Sequence, residues 1–406
     1  MPRVDFTSAR FNVRVPTMAG LVIKPRSRLF HGHDWVYVSE VLKAFGAPVD
    51  GAVVSLKDGA DRMLGSAIYN SKSQIVARRF SRQRQDLDAD FFQRRLRLAL
   101  AYRERHGLAA NAGRLVWSES DGLPGVIVDR YGPHLVLQTL TLAMDQRKEA
   151  IVAALREVFA PQSIVERNDS PIRKAEGLEL QTGVLHGEAP APFPIEIGGL
   201  RYTVDLLRGQ KTGFYLDQIP NYALLAPHAA GRRVLDCFAN QGAFALSCAR
   251  AGAKQVTAIE ISAECVAQIQ ENARANSLTV DARAANVFDA FKDLERREAR
   301  YDMVILDPPS FTKSKGKLHE AMRGYKEIHL RALKLLEAEG LLATFCCSHH
   351  VGREMFIETI NEAAVDARKT LRQIATFGQA LDHPVITTIP ETEYLKGYLF
   401  ELVPGR

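Results

Sequence analysis

The chain is poor in the residues that would assign it quickly. Cysteine is sparse: there are five in 406 residues, at positions 237, 248, 265, 346 and 347, an odd number with no Cys-x-x-Cys spacing. That pattern argues against a disulfide framework and a zinc site, and it leaves at least one thiol free to react. No run of eighteen or more uncharged apolar residues occurs, so no membrane-spanning helix is expected. Arg3, Asp5 and Arg10 fall where a secretory signal needs an apolar core, which predicts a cytoplasmic protein. Internal repeats and low-complexity tracts are also missing.

What is present is length and an uneven charge. A chain of 406 residues exceeds what one hydrophobic core usually serves, and two or three domains are expected. Residues 1–80 hold twelve Lys and Arg against six Asp and Glu, a surplus equal to the whole-chain charge of +6. A basic N-terminal module is the electrostatic footprint of a nucleic-acid partner, because cations that neutralise phosphates release counterions. The alternative is a merely solvated basic surface.

Short apolar runs separated by turn residues, at 20–23, 35–38, 52–56, 64–69 and 74–80, predict a small β-barrel. Phe92, Leu96, Ala99 and Leu100 recur at helical spacing and predict a helix over 89–105, its arginines on the opposite face. Strands near 115–118, 126–129, 135–141 and 163–166 with one helix over 144–159 suggest a compact α+β unit. After a polar stretch over 173–192, Gly198-Gly199 marks a hairpin turn.

From Arg232 the chain alternates strand and helix: strands at 234–238, 255–259, 282–286, 303–307 and 341–346, with helices between them, then two strands at 371–377 and 394–402 joined by a loop. Near-continuous apolar strands in βα alternation mean a parallel sheet covered on both faces, and its ligands sit at the strands' carboxyl ends. Two of those ends carry chemistry: Asp307-Pro308-Pro309 and Cys346-Cys347-Ser348. A carboxylate and a thiol facing one ligand suit covalent chemistry on a pyrimidine.

The first strand of this region ends in Asp236-Cys237-Phe238-Ala239-Asn240-Gln241-Gly242, with one glycine where a dinucleotide fingerprint wants three. A nucleoside ligand without a pyrophosphate fits better. Glu260, at the next strand end, stands where an acid accepts from a ribose diol, or else caps the following helix. Asn286, with Val287 or Phe288, is positioned to frame an adenine.

Taken together, the 236–242 stretch, Glu260, Asp307-Pro308-Pro309-Ser310-Phe311 and Thr344-Phe345-Cys346-Cys347-Ser348 resemble class I S-adenosylmethionine-dependent methyltransferases. They are most similar to the bacterial large-subunit ribosomal RNA cytosine-5 methyltransferases with an N-terminal PUA domain. The segments 122–131 and 211–218 match that pattern too, so the resemblance spans nearly the whole chain. Departures lie at Ala239-Asn240-Gln241, where Ser-Tyr-Thr is usual, and at His349-His350, where a glycine is usual. The histidines have no third ligand at useful spacing, no metal is expected, and they read as loop residues.

The resemblance implies a PUA-like RNA-binding barrel over 1–82, a central α+β domain over 83–190, and a doubly wound, mostly parallel seven-stranded methyltransferase domain over 191–406. It implies S-adenosylmethionine held by Phe214, Gln218, Asp236, Cys237, Phe238, Asn240, Gly242, Glu260, Ile261, Asn286, Val287 and Asp307. It assigns Cys347 as the nucleophile toward carbon 6 of a cytosine, with Asp307 hydrogen bonding the ring. Cys346 is expected to face away, since side chains alternate along a strand. The implied partner is single-stranded or loop ribosomal RNA, met by Arg26, Arg28, Lys72, Arg78 and Arg79, because a base inside a duplex must leave its stack to react. A monomer and a homodimer both remain open. Two other readings compete: a guanine methyltransferase that needs no thiol, and a non-catalytic RNA-binding module using the barrel alone.

Overall fold

A computed structural model describes residues 19–108, 111–312 and 315–405, so the first eighteen residues of the expected barrel segment lie outside the described residues. Among the described residues no helix is long and apolar enough to cross a membrane.

The N-terminal segment forms a six-stranded sheet in the spatial order 35–37, 75–81, 63–69, 53–57, 20–23, 41–45. Leu21, Ile23, Val36, Val54, Leu56 and Ala67 point to one side and form its core. The strand Val41–Phe45 was not expected; only its end residues are partly buried, so it lacks the apolar alternation that marks a strand. A five-stranded sheet follows, in the order 181–186, 163–168, 134–139, 126–131, 112–117, with the helices Ala89–Arg105 and Lys148–Phe159 packed on it. The first of these helices begins where Asp88 accepts the Phe91 N–H at 2.7 Å, and it buries Phe91, Phe92, Leu96 and Ala99. The edge strand Gln181–His186 was read as a polar stretch, because none of its residues is fully buried. The expected helix over 144–159 is two pieces, Leu142–Asp145 and Lys148–Phe159. Between them the Arg147 guanidinium reaches back to Gly51 O in the first sheet at 2.9 Å.

A hairpin, Phe193–Ile197 with Leu200–Val204, turns on Gly198 and Gly199, both at positive φ. The last sheet has seven strands: Arg233–Cys237 (β1), Gln255–Glu260 (β2), Asp281–Ala284 (β3), Tyr301–Leu306 (β4), Leu336–Cys346 (β5), Leu371–Gly378 (β6) and Lys396–Leu402 (β7). Their order is β3-β2-β1-β4-β5-β7-β6, parallel except for β7, which lies antiparallel between β5 and β6. The connecting helices are Ala243–Arg250 (α1), Ala263–Ala275 (α2), Val287–Arg296 (α3), Leu318–Leu335 (α4) and Arg353–Asp366 (α5). β1, β4 and β5 are buried on both faces, one apolar cluster forming against α1 and α2 and the other against α3, α4 and α5. Strand order reverses between β1 and β4, so their loops diverge to opposite faces and leave a crevice at the carboxyl edge.

Candidate active site

The crevice is a cavity of about 400 Å³, within the range of small-molecule sites. It is built by the approach 210–222, the β1 loop, the end of β2, the ends of β4 and β5, and Leu395 just before β7.

The β1 loop is tightly wound. Phe238 and Asn240 take φ of +63° and +48°, and Gly242 takes +81°; backbone held in such regions costs roughly 1–3 kcal/mol per non-glycine residue and survives only where its surroundings over-determine it. Here Glu260 does so. Its carboxylate accepts the Asn240 N–H at 2.9 Å through one oxygen and the Ser262 N–H at 3.0 Å through the other. The remaining lone pairs stay open to the cavity. A methyl group at Gly242 would meet Ile269 of α2 at 3.1 Å, so this glycine lets α1 and α2 approach.

Asp236 does not line the cavity. It is buried beneath the loop, where one oxygen accepts the Ala245 N–H at 3.0 Å and starts α1, while the other has no partner. Burial, with Asp307 and Glu260 nearby, holds its carboxyl well above the usual carboxylate range. Cys237 is fully buried, and its thiol is likewise pushed up by burial. Asn286 sits outside the cavity, capping α3 by accepting the Phe288 N–H at 2.9 Å; Val287 is buried against the sheet. Phe214, Gln218, Phe238, Asn240, Glu260, Ile261, Asp307 and Cys347 are the expected residues that meet around one space.

At the β4 end, Asp307 accepts from the Gln218 amide at 3.1 Å. That amide is oriented in turn, its oxygen accepting from Asn221 at 2.6 Å. Burial and the negative charge of Asp217 raise the Asp307 carboxyl to about 7, against the lowering effect of Lys211 and Gln218. At the β5 end, alternation separates the two cysteines. Cys346 is fully buried and donates to the Tyr325 hydroxyl at 3.4 Å, on the side away from the cavity. Cys347 opens into the cavity beside Asp307. Burial, then the Asp307 charge, pushes its thiol up to about 12, while Lys211 opposes them.

Several residues absent from the expectations complete the site. The Asp217 carboxylate takes Lys211 Nζ at 2.9 and 2.8 Å and the Tyr394 hydroxyl at 2.7 Å. Lys211 also lies over the Tyr215 ring at 4.2 Å. Behind Cys347, the buried Lys396 ammonium donates to Ser348 O and Val351 O, each at 2.7 Å. No short-range pattern could reveal the Tyr394 partner, since 177 positions separate it from Asp217.

The five expected RNA contacts divide. Arg26 and Lys72 are exposed, and Arg28 is part-exposed between Glu40 and Glu391. Arg78 is turned inward onto Glu119 at 2.8 Å, over the Trp35 ring at 4.9 Å, and Arg79 onto Asp34 at 2.8 Å.

The cavity suits a nucleoside with a charged tail. Glu260 offers an anchored acceptor to a ribose diol, Phe214, Phe238 and Tyr222 supply apolar walls, and the buried Gln241 Oε1, which has no partner, remains to accept a donor. When bound, S-adenosylmethionine supplies an electrophilic methyl group. Glu260, Phe238, Asn240, Gln241 and Asp307 are the residues that would hold it.

Comparison with known proteins agrees. The S-adenosylmethionine-dependent methyltransferase family matches residues 179–383, and the PUA-like domain family matches residues 24–82. A protein of Erwinia tasmaniensis named ribosomal RNA large subunit methyltransferase I is 38% identical over 395 residues, covering 95% of this chain and all of that protein. Its namesake from Shewanella amazonensis is 40% identical over 374 residues, covering 90% and 94%. Among solved structures, a Streptococcus mutans chain described as a SAM-dependent methyltransferase shares the fold at TM-score 0.81 and 24% identity, over 95% of this chain and 100% of that one. A methyltransferase crystal structure complexed with SAH matches at TM-score 0.83 and 25% identity, with the same coverage. The chain therefore belongs to the S-adenosylmethionine-dependent methyltransferases that carry a PUA-like domain, the family in which the relatives named ribosomal RNA large subunit methyltransferase I stand.

Proposed function

We infer that this enzyme methylates carbon 5 of a cytosine in the large-subunit ribosomal RNA, through a covalent adduct to Cys347. The observation that carries the reading is the shared cavity: one thiol and one carboxyl of raised affinity for protons open beside the nucleoside pocket, while the neighbouring thiol of Cys346 faces away. The names of its relatives support ribosomal RNA as the substrate class, and a cytoplasmic enzyme is consistent with that substrate.

Carbon 5 of cytosine is a weak nucleophile until sulfur adds at carbon 6. In the proposed sequence the Cys347 thiol gives its proton to a base and its sulfur bonds carbon 6; the ring electrons shift toward nitrogen 3, where Asp307 in its protonated form donates a hydrogen bond. Carbon 5 would then take the methyl group from S-adenosylmethionine, whose methyl–sulfur bond breaks to release S-adenosylhomocysteine. A base removes the carbon 5 proton, the carbon–sulfur bond breaks, and the 5,6 double bond returns with the thiolate. A carboxyl poised near 7 exchanges protons readily at neutral pH, as this cycle requires.

RNA containing 5-fluorocytosine tests the reading, because fluorine cannot leave as the proton does. A stable protein–RNA adduct that is lost in Cys347→Ala is the expected result. Methylated guanine in the product nucleosides, or full methylation by Cys347→Ala, would overturn it.

A further inference from the structure

Across the Lys211–Phe214 turn from the Cys347 cavity lies a second one, of about 550 Å³, and the two share Gln210, Lys211, Phe214 and Asp217 as a common wall. Its floor is the part-exposed Trp117 ring, packed on the buried His383 and Tyr394. The Trp117 ring lies 5.5 Å from His383 and 5.6 Å from Tyr394, with the Arg114 guanidinium 4.8 Å from the indole. The buried Trp117 indole N–H has no acceptor within the protein.

Its rim is basic. Arg167 is paired with Asp169 and Lys211 with Asp217, while on the floor Arg114 is paired with Asp129. Arg208 is exposed on the rim, and among the described residues its guanidinium has no carboxylate partner. Its own backbone is held, the N–H donating to Asp205 at 3.0 Å, so the free side chain projects from an ordered turn.

An exposed ring face below and an uncommitted guanidinium above follow the pattern that binds single-stranded nucleic acid: rings stack bases, and cations meet phosphates. A target base extruded into the first cavity must carry its backbone across the lip, and the lip is the wall shared with the second. We propose that the second cavity is the subsite for the RNA nucleotide adjoining the target, with its base over the part-exposed Trp117 ring and its phosphate on Arg208. The proposal rests on the RNA reading above and adds to it where a flanking nucleotide is held.

The test uses the full chain, S-adenosylmethionine and unmodified large-subunit ribosomal RNA. Arg208→Glu should raise the KM for RNA about tenfold and lower the slope of log affinity against log salt by about one phosphate contact. Cofactor affinity and melting temperature should stay unchanged. The chain has two tryptophans, so a Trp35→Phe variant isolates the emission of Trp117, which RNA should quench by stacking. Unaltered RNA affinity and salt slope in Arg208→Glu, or Trp117 emission indifferent to saturating RNA, would overturn the subsite. Neither readout depends on which base is methylated, so failure of the cysteine mechanism is told apart by the fluorocytosine adduct.

Discussion

Cys347 and Cys346 are adjacent, yet only Cys347 opens into the cavity. Burial raises the Cys347 thiol to about 12, which holds it protonated near neutrality; in the proposed mechanism its activation would come with the bound substrate. Cys347→Ala is therefore expected to abolish methylation while leaving S-adenosylmethionine affinity by calorimetry within a few-fold of the parent. Asp307 makes a different prediction. Its folded pKa of about 7 lies above the ordinary carboxylate value, so its contribution to stability is full at low pH and is lost as pH rises through 7. Asp307→Asn removes that penalty. Thermal melts should show it more stable than the parent at pH 8, by on the order of 4 kcal/mol, and little different near pH 4, with methylation lost. An equal shift at both pH values would refute the assignment.

Between residues, the loops and strand ends hold the chemistry in place. The β1 loop stands on Glu260 and on a glycine whose φ of +81° and contact with Ile269 leave no room for a side chain. Gly242→Ala should cost about 1–3 kcal/mol by denaturant unfolding and weaken cofactor binding, since the loop it distorts forms the pocket wall. On the other side, Lys396 stands opposite Cys346 across the β5–β7 ladder and ties down the two carbonyls that follow Cys347. Its replacement by methionine keeps the length and removes the donors. Lys396→Met should slow methylation by roughly 10–100-fold, as small displacements of a reacting group do, with the KM for cofactor almost unmoved.

At the scale of the molecule, the 379–395 segment between β6 and β7 binds the three sheets together. Glu391 meets His33 of the first sheet at 2.8 Å, Asp382 O accepts from Arg103 at 2.7 Å beside the second, and Tyr394 reaches Asp217 at the site. The inward arginines belong to the same scaffold: Arg78 joins the first sheet to Glu119 and Glu176 of the middle unit. Removing it leaves two buried carboxylates without their cation. Arg78→Ala should therefore lower stability by about 3 kcal/mol in thermal or denaturant melts. Arg26→Ala and Lys72→Ala, both exposed, should leave the melt unchanged and weaken RNA binding, with a shallower salt dependence.

The local chemistry of the chain determined much of this. Apolar strands alternating with amphipathic helices must form a covered parallel sheet, and such strands ending in Asp307 and Cys347 must deliver those side chains to its carboxyl edge. The Gly198-Gly199 turn and the Asp88, Ser262 and Asn286 caps are equally local, each decided within three residues. Edge strands such as Val41–Phe45 escaped because exposure on both sides erases the alternation that marks a strand. What only the tertiary structure decided is which charges remain free: Arg78 and Arg79 have the composition of an RNA contact and the surroundings of a buried ion pair, and Asp236 has the position of a ligand and the burial of a helix anchor. Long-range pairing sets these outcomes, since a charge is neutralised by whatever the fold brings within about 4 Å, however distant along the chain.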